Sequence, residues 1–149
     1  MNKKTFKLLL SFVIILALVG LGDSFYLFMT DKSGSEVICG TGGCSFVLSS
    51  PYSYVLGIKL PIWGMLYYSS LLLFGFFTLL TLKKIFLQIL TLISLSGFLM
   101  SLYFTYVQFY ELVSLCQWCL LSALTSTLIF TATLILYSKN RKQQPNNSF

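Results

Sequence analysis

Four stretches of about twenty apolar residues take up most of this chain and leave little between them to build anything else. They run Leu8–Met29, Pro61–Leu82, Ile85–Tyr110 and about Leu115–Tyr137. Each is long enough to cross the hydrocarbon core of a bilayer as a helix, which takes roughly 20 residues. A soluble domain of 149 residues could not hide this much apolar surface. The chain is 56% hydrophobic and 9% charged, against about 25% charged in soluble domains. Little more than Lys83-Lys84 separates the second and third stretches, and little more than Glu111–Ser114 the third and fourth. Links this short require antiparallel neighbours. The expected fold is therefore an all-α integral membrane protein, a four-transmembrane-helix bundle spanning residues 1–138. A loop at 30–60 is the only connection long enough for structure of its own. A polar tail, 139–149, is expected to be disordered.

The charges set the direction of the spans. Lys3, Lys4, Lys7, Lys83, Lys84, Lys139, Arg141 and Lys142 fall on one side, eight of the ten basic residues. The positive-inside rule makes that side cytoplasmic, with both termini there and the 30–60 loop facing outward. Lys32 and Lys59 lie outward with Asp31, Glu36 and Glu111. The net charge of +6 thus reports topology, and nucleic acid is not an expected partner. The first span is expected to be retained and not cleaved as a signal peptide, because its apolar run resumes at Phe25–Met29 after Gly20-Leu21-Gly22.

With this topology all four cysteines reach the same membrane face. Cys39 and Cys44 flank a glycine-rich stretch of the outward loop, and Cys116-Gln117-Trp118-Cys119 opens the last span. The outward side of a bacterial cytoplasmic membrane is a compartment where disulfides persist. Three glycines between Cys39 and Cys44 make a short, mobile ring, better suited to exchange than to stapling. Cys116 and Cys119 stand three apart on one helix face near a helix N-terminus, where thiolates are favoured, with Ser114 as the expected N-cap. Zinc is disfavoured by the unequal spacings. The chain has no His, which removes the usual axial ligand of b-type haem, and Leu120 stands where covalent haem attachment needs His. The remaining readings are a dithiol relay and a membrane subunit whose disulfides are merely structural. A reductive thiol transporter would need a cysteine accessible from inside, and the topology offers none.

The order of these features resembles the vitamin K epoxide reductase family: a loop pair after span one, then Ser50, Gly57, Gly64 and Tyr67, then Cys-x-x-Cys on span four. The resemblance runs from about Gly20 to Leu136. The DsbB-like quinone-linked disulfide oxidases share the architecture but carry the two pairs in the opposite order. The resemblance implies that Cys39 exchanges with a separate, extracytoplasmic thioredoxin-like (DsbA-like) thiol oxidase. Cys44 would pass electrons to Cys116, and Cys119 would reduce a membrane quinone, menaquinone or ubiquinone. Ser50 matches the serine that the family keeps beside the quinone pocket, though within Leu48-Ser49-Ser50-Pro51 it reads equally as a helix cap. Animal members carry a Tyr where this chain has Ala123 and an Asn where it has Leu60-Pro61, so the resemblance implies quinone reduction more than epoxide reduction. Some bacterial members carry a fused thioredoxin-like domain, and none is expected here.

The remaining assignments rest on residue type. Asp23, an acid within span one, is the candidate to help proton uptake by the quinone. Trp63, Tyr67, Trp118 and Tyr103 are candidate pocket-lining aromatics, although Tyr and Trp also gather at membrane interfaces.

Overall fold

The four apolar stretches are helices, and each outruns or shifts against its hydropathy boundary for a local reason. The computed structural model describes residues 3–35, 37–40 and 42–142. Helix α1 (Lys3–Ser33) continues beyond Met29 because Thr30 and Ser33 turn their hydroxyls back onto helix carbonyls, Thr30 onto that of Tyr26 at 3.0 Å. At about 1.5 Å per residue α1 is longer than the hydrocarbon core is thick, so its last turn stands clear of it. There Asp31 accepts both of its hydrogen bonds from Lys59 Nζ at 2.6 Å.

After α1 the chain makes a short helix, α2 (Cys44–Ser49), a 3-10 turn at Pro51–Ser53 and a hairpin of β1 (Tyr54–Val55) and β2 (Ile58–Lys59). The strands pair antiparallel, Tyr54 with Lys59 and Val55 with Ile58. Leu56 (φ 53°) and Gly57 (φ 78°) both take the left-handed conformations of a tight hairpin turn. Helix α3 (Leu60–Thr81) starts with Pro61 in its first turn, where a missing N–H costs nothing. It ends on Leu82, left-handed, whose N–H bonds Thr78 O at 2.9 Å. Helix α4 (Lys84–Tyr106) begins at once, so the Lys83-Lys84 link is a tight reversal.

The third stretch does not finish as a regular helix: Val107–Glu111 form a π-turn. Helix α5 (Gln117–Lys142) closes the bundle. It carries Lys139–Lys142 as helix, so a tail beginning at 139 is not observed, and the 138/139 boundary falls inside α5. Residues 143–149, and Glu36 of the outward acids, lie outside the described residues.

Helix α1 packs on α3 and α5, and α4 packs on the same two. Toward the lysine-rich end the bundle encloses a packed core of Leu10, Val13, Ala17, Leu71, Leu87, Leu90, Ile129 and Leu136. Around it, apolar side chains such as Leu8, Phe12, Leu73, Phe76, Leu92 and Leu134 point outward. Helices apolar on every face suit lipid, where no water drives them together. Specific hydrogen bonds supply part of the register: Ser94 to Thr133 at 2.8 Å and Ser101 to Ser126 at 2.6 Å join α4 to α5. Tyr68 of α3 reaches across to Ser122 and Thr125 of α5 at 2.9 and 3.0 Å.

Candidate functional site

Helix α5 is one residue shorter at its start than Cys-x-x-Cys, and that offset shapes the site. Cys116 stands at the N-cap. Its carbonyl takes the first helical hydrogen bond, from Leu120 N–H at 3.0 Å. Its sulfur accepts the N–H of Cys119 at 3.4 Å, the position a Ser or Asp oxygen fills in an ordinary cap. Ser114, the expected cap, lies two residues too early. Its N–H is taken instead by the carbonyl of Gln108 at 3.2 Å. The Cys116 thiol is pushed below the ordinary cysteine range, first by the Cys119 side chain and then by the N–H groups of Cys119 and Trp118, against the opposing effect of burial.

Gln108 fixes the approach to this cap. It is buried within the π-turn, and its side-chain Oε1 accepts the N–H of Cys116 at 2.9 Å. Its main-chain and side-chain oxygens therefore both hold the segment that delivers Cys116. The extra residue of a π-turn re-aims the chain and is common at functional sites.

The loop pair rests on top of this. Cys39 and Cys44 are disulfide-bonded, with Cα atoms 6.0 Å apart; Cys116 and Cys119 are free thiols. Cys44 opens α2 and is fully buried, as is Cys116, whereas Cys39 is half-buried. Both buried sulfurs belong to one cluster with Leu27, Val37, Val47 and Leu48, and Cys39, Cys119, Trp118 and Tyr26 pack against it. Gly43 makes the approach possible. A Cβ there would meet Leu115 O and Ser114 Oγ at 2.7 Å, so a side chain would lift Cys44 away from Cys116.

Below the cysteines a cavity of about 440 Å³ opens among the helices. Its lining is mostly apolar, and Cys119 is part of it, with Asp23, Trp63, Tyr67 and Gln108. Tyr67 lies against Gly97, which leaves no room for a Cβ on α4. Both carboxyl oxygens of Asp23 and the hydroxyl of Tyr67 are buried and find no hydrogen-bond partner among the described residues. Buried polar atoms are nearly always satisfied and cost about 1–3 kcal/mol when they are not. Three such atoms on one cavity wall fit a polar ligand group.

The other expected residues scatter. Trp63 lines the cavity and ties α3 to the hairpin through Nε1–H to Val55 O at 3.1 Å. Ser50 does not line this cavity. It is buried, donates to Val47 O at 2.7 Å to close α2, and lines a much smaller void that also touches Cys119 and Gln108. Trp118 does not line the cavity either, because its indole N–H is committed to Ile38 O at 2.9 Å in the loop. Tyr103 is exposed on α4 and is not among the lining residues. Leu60, Pro61 and Ala123, where the chain departs from animal members, do line it. Gln108 escaped the sequence reading. Its signal was an amide in an apolar span, one of two there with Gln88, a type of residue that is rare in such spans and tends to mark function.

A four-helix membrane bundle that gathers a bonded and a free cysteine pair beside an apolar cavity has the architecture of a membrane disulfide oxidoreductase. The chain matches the model of the Vitamin K epoxide reductase family over residues 11–134 and belongs to that family. A search among individually curated proteins finds no match.

Proposed function

We propose that this protein is a membrane thiol oxidase that reoxidises a separate thioredoxin-like, DsbA-like protein outside the bacterial cytoplasmic membrane and delivers the electrons to a quinone. Both termini face the cytoplasm, and the 30–60 loop with all four cysteines faces outward. The observation that carries this reading is the graded burial of the four sulfurs in one cluster. Cys39 is half-buried at the surface, Cys44 and Cys116 are fully buried together, and Cys119 borders the cavity.

The chemistry follows that gradient. A thiolate of the reduced partner attacks Cys39 Sγ, forming a mixed disulfide and releasing Cys44 as thiolate. The partner's second thiol displaces Cys39 and leaves the partner oxidised, with Cys39 and Cys44 as a dithiol. Cys44 then attacks Cys116 of a Cys116–Cys119 disulfide and releases Cys119. Cys39 resolves the Cys44–Cys116 bond, which restores Cys39–Cys44 and leaves the electron pair on Cys116 and Cys119. The lowered pKa of Cys116 makes it the better leaving group in this resolution. A bonded loop pair beside a free helix pair, the arrangement in the structure, is consistent with this last state.

The cavity suits a quinone ring in size, in its apolar walls and in its unpartnered Asp23 and Tyr67 oxygens. A quinone bound there accepts two electrons and two protons. Tyr67 would donate a hydrogen bond to a ring oxygen, Asp23 would hold a proton for it, and Trp63 would wall the ring in. Ser50 acts one layer out, by fixing the end of α2.

A Cys44→Ser variant tests the reading. It should accumulate a mixed disulfide between Cys39 and a thioredoxin-like protein, visible on non-reducing gels and lost on reduction. If no adduct forms, and Cys116→Ser leaves the disulfides of exported proteins intact, the cysteines are structural and the relay is wrong.

A further inference from the structure

The loop segment Ile38–Gly40, which carries Cys39, is held by side chains like a bound ligand. Ile38 O accepts the indole N–H of Trp118 at 2.9 Å. Gly40 N–H donates to Gln117 Oε1 at 3.0 Å. Ile38 N–H donates to the hydroxyl of Tyr26 at 3.4 Å, and the Tyr26 and Trp118 rings meet at 5.0 Å. Two of these three side chains are the residues between Cys116 and Cys119. The dipeptide of the Cys-x-x-Cys thus grips the very loop whose disulfide its own cysteines must exchange with.

Gly40 is needed for the grip, since a Cβ there would stand 2.9 Å from Gln117 Oε1. On the other side of the cystine Gly43 lies against Leu115 and Ser114. The loop is therefore hydrogen-bonded to the Cys116 segment on one side of the Cys39–Cys44 bond and packed close against it on the other. A bond to an external partner at Cys39 must compete with the first fastening, because Cys39 sits in the middle of the held segment.

We propose that Gln117 and Trp118, with Tyr26, form a latch that sets the loop in register for exchange between Cys44 and Cys116 and resists opening of the loop toward the outside. They are positioning residues: none is among the residues that line the cavity. The proposal rests on the relay described above and adds to it what controls the internal step. Internal exchange is favoured while the latch is closed, and reaction of Cys39 with an external thiol is favoured while it is open.

The test uses full-length Cys119→Ser protein in lipid nanodiscs, in which Cys116 has no resolving partner. In it the Cys116 thiolate attacks Cys44, the Cys39–Cys44 bond breaks, and Cys39 leaves as a thiolate that an alkylating reagent captures. No external oxidant or reductant is needed. The rate of Cys44–Cys116 formation is read by mass spectrometry, and the rate at which a small dithiol opens Cys39–Cys44 is read in parallel. Gln117→Met and Trp118→Phe, each removing about one hydrogen bond, should slow internal exchange about fivefold. Each should also speed opening by the small dithiol. A merely structural role would slow both, or neither. The latch is overturned if internal exchange is unchanged, or if the two rates move in the same direction. If Cys44–Cys116 fails to form even with the latch intact, the relay itself is wrong and the latch falls with it.

Discussion

The two ends of this bundle are built on opposite rules. Toward the lysine-rich end, Leu10, Val13, Leu71, Leu87, Leu90 and Leu136 fill the space between helices, and the buried hydroxyls of Ser94 and Thr133 satisfy each other. Toward the loop end the helices part around a cavity of about 440 Å³, with Asp23 and Tyr67 left unsatisfied among the described residues and the buried Gln108 holding a cysteine backbone. The packed end carries the stability, and the open end carries the chemistry of the proposed relay. The difference explains why most irregular features gather at one end: the π-turn, the cap made by sulfur, the left-handed Leu56 and Val113, with the left-handed Leu82 of the α3–α4 reversal as the exception.

The comparison breaks most visibly at Cys119. Cys119→Ser should reduce quinone turnover by on the order of a thousandfold or more, as loss of a covalent participant does, with the helical circular dichroism spectrum unchanged. At the packed end Leu90→Ala should do the reverse. It leaves turnover intact and lowers stability in detergent by about 2 kcal/mol, the low end of the range for soluble cores, because lipid already matches leucine in polarity. Asp23→Leu sharpens the contrast further. Removing an unsatisfied buried carboxyl should stabilise the protein by about 1 kcal/mol, seen as a higher melting temperature, while quinone reduction slows.

A smaller effect concerns pH. The pKa of Cys116 is lowered in the folded protein, so its thiolate persists as pH falls past the ordinary thiol value of about 8.5. The pH profile for alkylation of Cys116 should therefore have its midpoint below that value. Cys119→Ala, which removes the largest cause of the lowering, should move the midpoint back up. Smallest of all, Lys59→Ala breaks the surface pair with Asp31 and should cost less than about 1 kcal/mol, less again in high salt.

The bundle was legible because a run of twenty apolar residues has few alternatives, and two short links leave one way to fold it. The shared location of the cysteines followed from counting lysines. What escaped depends on single atoms. Ser114 looks like a cap, but helix α5 begins later and the Cys116 sulfur takes that place. Trp118 looks like a pocket wall, but its indole N–H faces a loop carbonyl eighty positions away in sequence. Ser50 reads as a cap or a pocket residue, and its hydroxyl does bond the end of α2. The hairpin turn at Leu56-Gly57 has an apolar residue where turns favour Asn or Asp, so composition conceals it.

Transfer of electrons from a secreted dithiol to a membrane quinone through both cysteine pairs can be observed directly. Purified protein in lipid is mixed with a reduced thioredoxin-like oxidase and a quinone, and quinone absorbance and partner thiols are followed together. One quinone should be reduced for each partner disulfide formed, and every one of Cys39→Ser, Cys44→Ser, Cys116→Ser and Cys119→Ser should stop it. Partner oxidation that proceeds without loss of quinone, or quinone reduction that survives in Cys39→Ser or Cys44→Ser with that same partner, would contradict the relay.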